Sequence, residues 1–114
     1  AHSVCHAAYF SAKEIGAKYI VVLTHSGKSA RVMSNFRPPV PILGLTNNKK
    51  TLFQLALLWG VTPTYFKKII TISDDLSPLI DHLLKENFVR SGDKIIVVAG
   101  SSAESGGTNL MRLH

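Results

Sequence analysis

The sequence predicts an α/β fold: an open, mostly parallel sheet covered by helices on both faces, closed by a last hairpin-like return. Three observations carry this prediction. Helix-compatible and strand-compatible stretches alternate along the chain. The strand-like stretches at residues 19–24, 40–46 and 94–99 are largely apolar, as strands buried on both faces must be. The segments after two of them, residues 24–29 and 100–108, are short and rich in small polar residues and glycine, the composition of loops at the carboxyl ends of parallel strands. Short connections and right-handed crossovers then favour a doubly covered sheet.

The elements follow in order. Residues 2–16 read as a helix, with Val4, Ala7, Ala8, Ser11, Ala12 and Ile15 on a small apolar face and Gly16 as its stop. Five of the six residues from Tyr19 to Thr24 are β-branched or aromatic, which suits a central strand. Residues 29–35 suit a short helix, ended before Pro38 and Pro39. Residues 40–46 read as a second strand, apolar at Ile42, Leu43 and Leu45, and Thr46, Asn47 and Asn48 as a turn and helix cap. Residues 49–59 suit a helix with Leu52, Leu55, Ala56 and Trp59 on one side and Gly60 at its end. Residues 61–65 form a short strand, which Pro63 places at a sheet edge.

Residues 69–73 connect to a helix at residues 74–88, whose acidic pair Asp74 and Asp75 suits a helix start. Pro78 allows the start to lie at Ser77 instead. Ser91, Gly92 and Asp93 make a tight turn, residues 94–99 the fourth strand, and residues 108–113 the last one.

Composition narrows the function classes. The 114 residues suffice for one domain with a real core. Apolar residues make up 46% and charged residues 18%, the balance of a globular chain. The net charge of +6 attracts anionic metabolites, but the lysine pairs 49–50 and 67–68 lack the interleaved aromatics of a nucleic-acid surface. The single cysteine, Cys5, excludes an internal disulfide and fits a reducing compartment. No apolar segment reaches membrane-spanning length and no signal-peptide pattern opens the chain, so a cytoplasmic protein without membrane contact is expected. The chain begins with Ala1 and its helical pattern is already under way, as in a domain cut from a longer protein. His2, Cys5 and His6 share a helical face without a fourth donor nearby, so no metal site is expected there.

The central strand ends at Thr24, His25, Ser26, Gly27, Lys28 and Ser29. A helix N-terminus offers unpaired backbone N–H groups and a partial positive charge. Hydroxyls and an ammonium at that end make a phosphate cradle. The plainer reading is that Ser26 or Ser29 caps the helix and Gly27 supplies a turn conformation. The common triphosphate loop needs a glycine five residues before Gly27, and Val22 stands there. A turn this short holds a single phosphate, as in a sugar phosphate or a nucleoside monophosphate.

Six groups of residues recur together in one known family. They are the strand Ile20, Val21, Val22, Leu23 and Thr24 with its Ser26, Gly27, Lys28, Ser29 and Ala30 turn; Arg37 and Pro38; Pro41 and Ile42; Gly60, Val61, Thr62 and Pro63; Gly92 and Asp93 before a strand; and Ser105, Gly106, Gly107, Thr108 and Asn109. Their order and spacing over essentially the whole chain resemble the C-terminal domain of pyruvate kinase. The resemblance implies a three-layer α/β/α sandwich with a five-stranded, mostly parallel sheet and an antiparallel last strand. It implies a regulatory and assembly domain of an enzyme that transfers a phosphoryl group from phosphoenolpyruvate to ADP with Mg²⁺ and K⁺, its catalytic residues lying in other domains. It also implies a homotetramer and a sugar-phosphate effector. Thr24, Ser26, Lys28 and Ser29 match the turn that holds one effector phosphate, with Gly27 allowing close backbone approach. Ser105, Gly106, Gly107 and Thr108 match the loop that closes over the sugar.

Two departures stand out. His25 differs from the residues usual at its position. Where animal enzymes have an arginine gripping a second phosphate this chain has Asp75, and their tryptophan has no counterpart in that segment, Trp59 lying elsewhere. A monophosphate such as ribose 5-phosphate or AMP is therefore as compatible as fructose 1,6-bisphosphate. Two other classes compete: a free-standing small enzyme or sensor using His25 and Glu104, and an interface module docking through His2, Cys5, His6 and Tyr9.

Overall fold

The computed structural model describes residues 2–67, 77–99 and 107–112. Its elements run α1 (His2–Ile15), β1 (Tyr19–Leu23), α2 (Lys28–Asn35), β2 (Ile42–Thr46), α3 (Lys49–Leu55), β3 (Val61–Tyr65), α4 (Ser77–Lys85), β4 (Lys94–Ala99) and β5 (Gly107–Arg112). The five strands form one sheet in the order β3-β2-β1-β4-β5. Neighbours are parallel except β4 and β5, which pair antiparallel with Ala99 opposite Gly107. Pro63 lies on β3, an edge strand, where its missing N–H disrupts no central ladder.

The strand order explains the layering. From β1 to β3 the chain winds one way across the sheet, so right-handed crossovers put α2 and α3 on one face. From β3 it returns past β2 and β1 to β4, and the same handedness puts α4 on the other face. The core divides accordingly. Ile20, Val22, Ile42, Ile96 and Val98 pack with Ala8 and Ala12 of α1, Ala30 and Met33 of α2 and Leu55 of α3. Val21, Leu23, Leu43, Leu45, Ile95 and Val97 pack with Leu79 and Leu83 of α4 and with Val89. β1 contributes alternate residues to both clusters, as a central strand must.

Several boundaries differ from the sequence reading. β2 starts at Ile42 rather than at residue 40, because Pro41 has no N–H for the ladder and offers only its carbonyl, to Ile20. On α1, Ala7 is exposed while Ala8 and Ala12 are buried, so the expected face is narrower. α3 ends at Leu55, not Trp59; tighter bonds from Leu57 to Gln54 and from Leu58 to Leu55 replace the helical pattern. Its buried side is Thr51 and Leu55, and Ala56 and Trp59 are exposed. α4 ends at Lys85, because Asn87 takes the left-handed conformation (φ 63°). The Phe88 N–H then reaches back to the Leu83 carbonyl and the Asn87 N–H to that of Leu84, a Schellman ending. Gly16 (φ 68°) ends α1 the same way, with Ala17 bonded to Ala12. The expected earlier start of α4 at Asp74 lies outside the described residues. β5 spans Gly107–Arg112, one residue earlier than expected at its start. No helix among the described residues is long and apolar enough to cross a membrane.

Candidate functional site

The winding reverses between β1 and β4, which are paired neighbours. Their carboxyl ends therefore flank the switch point, where such sheets open a crevice. The turn after β1 is thus placed where a ligand-binding loop belongs. Of the facing loop, residues 100–106 lie outside the described residues. That range includes Glu104, Ser105 and Gly106. The backbone of Gly107 and Thr108 forms the start of β5, Thr108 opposite Val98.

The β1–α2 turn is built by hydroxyls acting on its own backbone. The Thr24 Oγ1 accepts from the Gly27 N–H at 2.9 Å. The Ser26 Oγ accepts from the Lys28 N–H at 3.3 Å. Gly27 occupies the N-cap position at φ 90°, a left-handed conformation that glycine alone adopts freely, and no side chain caps α2. The plainer sequence reading holds in part: Gly27 supplies the turn and stands at the N-cap position, while the Ser26 hydroxyl takes the N–H of Lys28, the first residue of α2. The Gly27 carbonyl accepts the first helical bond, from Arg31 at 3.0 Å.

The five expected residues differ in exposure. Ser26 and Lys28 are exposed, whereas Thr24 and Ser29 are 7% and 6% exposed and Gly27 is buried. A hydroxyl that accepts one bond still has its own hydrogen to donate. The turn thus presents the Ser26 hydroxyl and the Lys28 ammonium at its surface, over the positive end of the α2 dipole.

Sequence reasoning missed the support beneath this turn. The neighbouring β2–α3 turn starts with the Thr46 Oγ1 accepting from the Asn48 N–H at 3.2 Å. Asn48 caps α3, its Oδ1 accepting from the N–H of Lys50 at 2.9 Å and of Thr51 at 3.3 Å. Two bonds then join the turns: His25 Nδ1 with Asn47 Oδ1 at 3.1 Å, and the Thr51 hydroxyl donating to the His25 carbonyl at 2.7 Å. Only the parallel adjacency of β1 and β2 brings these residues together, and no local motif encodes that.

Four of the described lysines stand at this carboxyl edge. Lys28 follows β1, Lys49 and Lys50 follow β2, and Lys67 follows β3. Lys49 lies 5.7 Å from the Tyr65 ring centroid. The described acidic residues of the strand connections fall at the opposite edge, where Asp93 pairs with Lys18 at 3.5 Å. The Arg90 N–H, 2.8 Å from Asp93 Oδ2, together with the nearby Lys18 and Arg90 charges, holds this carboxyl below its ordinary range. Among the described residues no group of three or more His, Cys, Asp or Glu is gathered as for a metal.

Residues 2–114 match the family model described as pyruvate kinase, alpha/beta domain. The chain belongs to that family. It is 32% identical over 113 residues to a pyruvate kinase of Sporosarcina psychrophila, covering 98% of this chain and 19% of the relative. It is 40% identical over 106 residues to a pyruvate kinase of Lactobacillus delbrueckii subsp. bulgaricus, covering 91% of this chain and 18% of the relative. The chain therefore spans about a fifth of the length of these relatives. A solved structure of Cryptosporidium parvum pyruvate kinase in complex with ADP shares the fold, with a TM-score of 0.84 at 24% identity over 99% of this chain and 23% of that one.

Proposed function

We propose that this chain is a single regulatory and assembly domain of a pyruvate kinase and that it binds the phosphate of a small metabolite at residues 24–29. The carrying observation is the glycine-started helix α2 at the switch point. Gly27 holds the turn, Ser26 and Lys28 stand exposed beside it, and no side chain occupies the cap. Charge-assisted bonds from Lys28 and the hydroxyls, added to the helix dipole, favour a phosphate monoester over a neutral sugar.

The ligand is a sugar phosphate or a nucleoside monophosphate. Its phosphate lies on Ser26, Lys28 and the α2 N-terminus, with Thr24 and Ser29 shaping the turn from inside. Its sugar orders the segment of Ser105, Gly106, Gly107 and Thr108. That ordering biases the packing of neighbouring subunits in a homotetramer, and so the affinity of a distant active site. In this reading the phosphoryl transfer, with its Mg²⁺ and K⁺, takes place in parts of the longer enzyme beyond this domain, in the cytoplasm.

The free-standing enzyme reading gains no support from His25, whose Nδ1 is engaged by Asn47. The assembly reading has an observation of its own. Phe53 and Leu57 are 78% and 86% exposed and Trp59 about half exposed, on the outer side of α3 and the turn after it. Isolated apolar side chains are ordinary on a surface, but three so close in sequence suit a contact with further protein.

Calorimetric titration with ribose 5-phosphate and fructose 1,6-bisphosphate tests the proposal. Lys28→Ala is expected to weaken binding by about 1–3 kcal/mol, and Ser29→Ala, which alters the turn from inside, to weaken it less. Unchanged affinity in both variants would reduce the turn to a helix start.

A further inference from the structure

Thr51 is the side chain where α3 meets the β1–α2 turn. It is 3% exposed. Its hydroxyl donates to the His25 carbonyl, 26 residues away in sequence, at 2.7 Å. Its methyl Cγ2 lies 3.4 Å from the position a Cβ on Gly27 would take. One branch of this side chain therefore bonds the turn at the His25 carbonyl, and the other lies beside the open face of Gly27.

The first contact fixes a direction. The peptide joining His25 to Ser26 is trans and planar, so its N–H points opposite to its carbonyl. With the carbonyl drawn down onto Thr51, the Ser26 N–H faces away from α3. The reversed peptide would present a carbonyl, the negative end of the dipole, on that outer side.

We infer that Thr51 is a positioning residue for the anion turn: its hydroxyl locks the 25–26 peptide with the N–H outward and so gives the turn a donor surface. This rests on residues 24–29 being a phosphate site, and it adds a residue from a different strand–helix unit that touches no ligand itself. The same contact gives α3 control over the site. A displacement of α3 that broke the bond would release the peptide and weaken phosphate binding, so whatever packs on the exposed side of α3 is coupled to the ligand.

Thr51→Val keeps the shape and removes the hydroxyl. Thr51→Ser keeps the hydroxyl and removes the methyl. Ribose 5-phosphate affinity and the ¹H–¹⁵N signals of Ser26 and Gly27 are read for both. The valine variant is expected to bind about tenfold more weakly, as for one lost hydrogen bond in a polar site, and to shift the Ser26 amide. The serine variant is expected to retain both properties. Wild-type affinity and an unmoved Ser26 signal in the valine variant would overturn the inference, as would a serine variant as impaired as valine. If the valine variant does not fold, Thr51→Ala removes the hydroxyl in its place and is compared with the serine variant, with the same outcomes expected. If the wild-type chain takes up neither ribose 5-phosphate nor inorganic phosphate, the reading of the site fails by itself. The lock is then judged on the Ser26 signal, which it requires to move with valine and return with serine.

Discussion

Two turns leave adjacent parallel strands at the same edge of the sheet, and each opens a helix. After β2, Asn48 caps α3 and its side chain takes the N–H groups of Lys50 and Thr51. After β1, a glycine holds the N-cap of α2 with no side-chain cap. The β2–α3 turn thus satisfies its helix start from within. In the β1–α2 turn the Ser26 hydroxyl takes the Lys28 N–H at 3.3 Å, and Ser26 and Lys28 stand exposed beside the helix start. The first suits stability, and the second is the one proposed above to take a phosphate. The first also supports the second, through Thr51 and Asn47.

The sharpest way to break this relation is beneath both turns. Leu55 is fully buried, and its side chain lies near the faces of both Gly27 and Gly44. Leu55→Ala is expected to cost about 2–5 kcal/mol of stability in urea unfolding and to loosen both turns together. Lys28→Ala should leave stability nearly unchanged while weakening phosphate-ligand binding by about 1–3 kcal/mol, read by calorimetry. Asn48→Ala should do the reverse, costing about 0.5–2 kcal/mol of stability for the lost cap while Lys28 remains in place for the ligand.

The smallest effect lies at the far edge of the sheet. Asp93 has a lowered pKa, so its contribution is present above the ordinary carboxylate pKa of about 3.9 and is lost as the pH falls through the folded value. Asp93→Asn should lower the melting temperature slightly at pH 7, and the difference from the parent chain should shrink towards pH 3. A difference that grew on acidification would contradict the assignment.

How much of this was legible in the sequence follows from the range of the interactions. The alternation of elements, the edge position of Pro63, the stop at Gly16 and the conformation of Gly27 rest on local chemistry, and the sequence displays them. The motifs that resemble pyruvate kinase are likewise contiguous runs, and the family match over residues 2–114 agrees with them. Helix ends were less legible. Leu57 and Leu58 continue an apolar pattern past the end of α3, and only the tightening of the backbone there decides the boundary. Least legible was the support of the site. Thr46, Asn47 and Asn48 read as a turn, yet nothing local says that Asn47 meets His25 or that Thr51 holds the His25 carbonyl. Those contacts come from strand pairing, a tertiary property.

The central claim is that of two neighbouring helix starts only the one with glycine at its N-cap takes phosphate. Titration of the ¹⁵N-labelled chain with ribose 5-phosphate, followed by amide shifts, tests it most directly. The account predicts saturable shifts at Ser26, Gly27, Lys28 and Ser29, with the capped amides of Lys50 and Thr51 moving little. Shifts of equal size at both turns, or at neither, would contradict it.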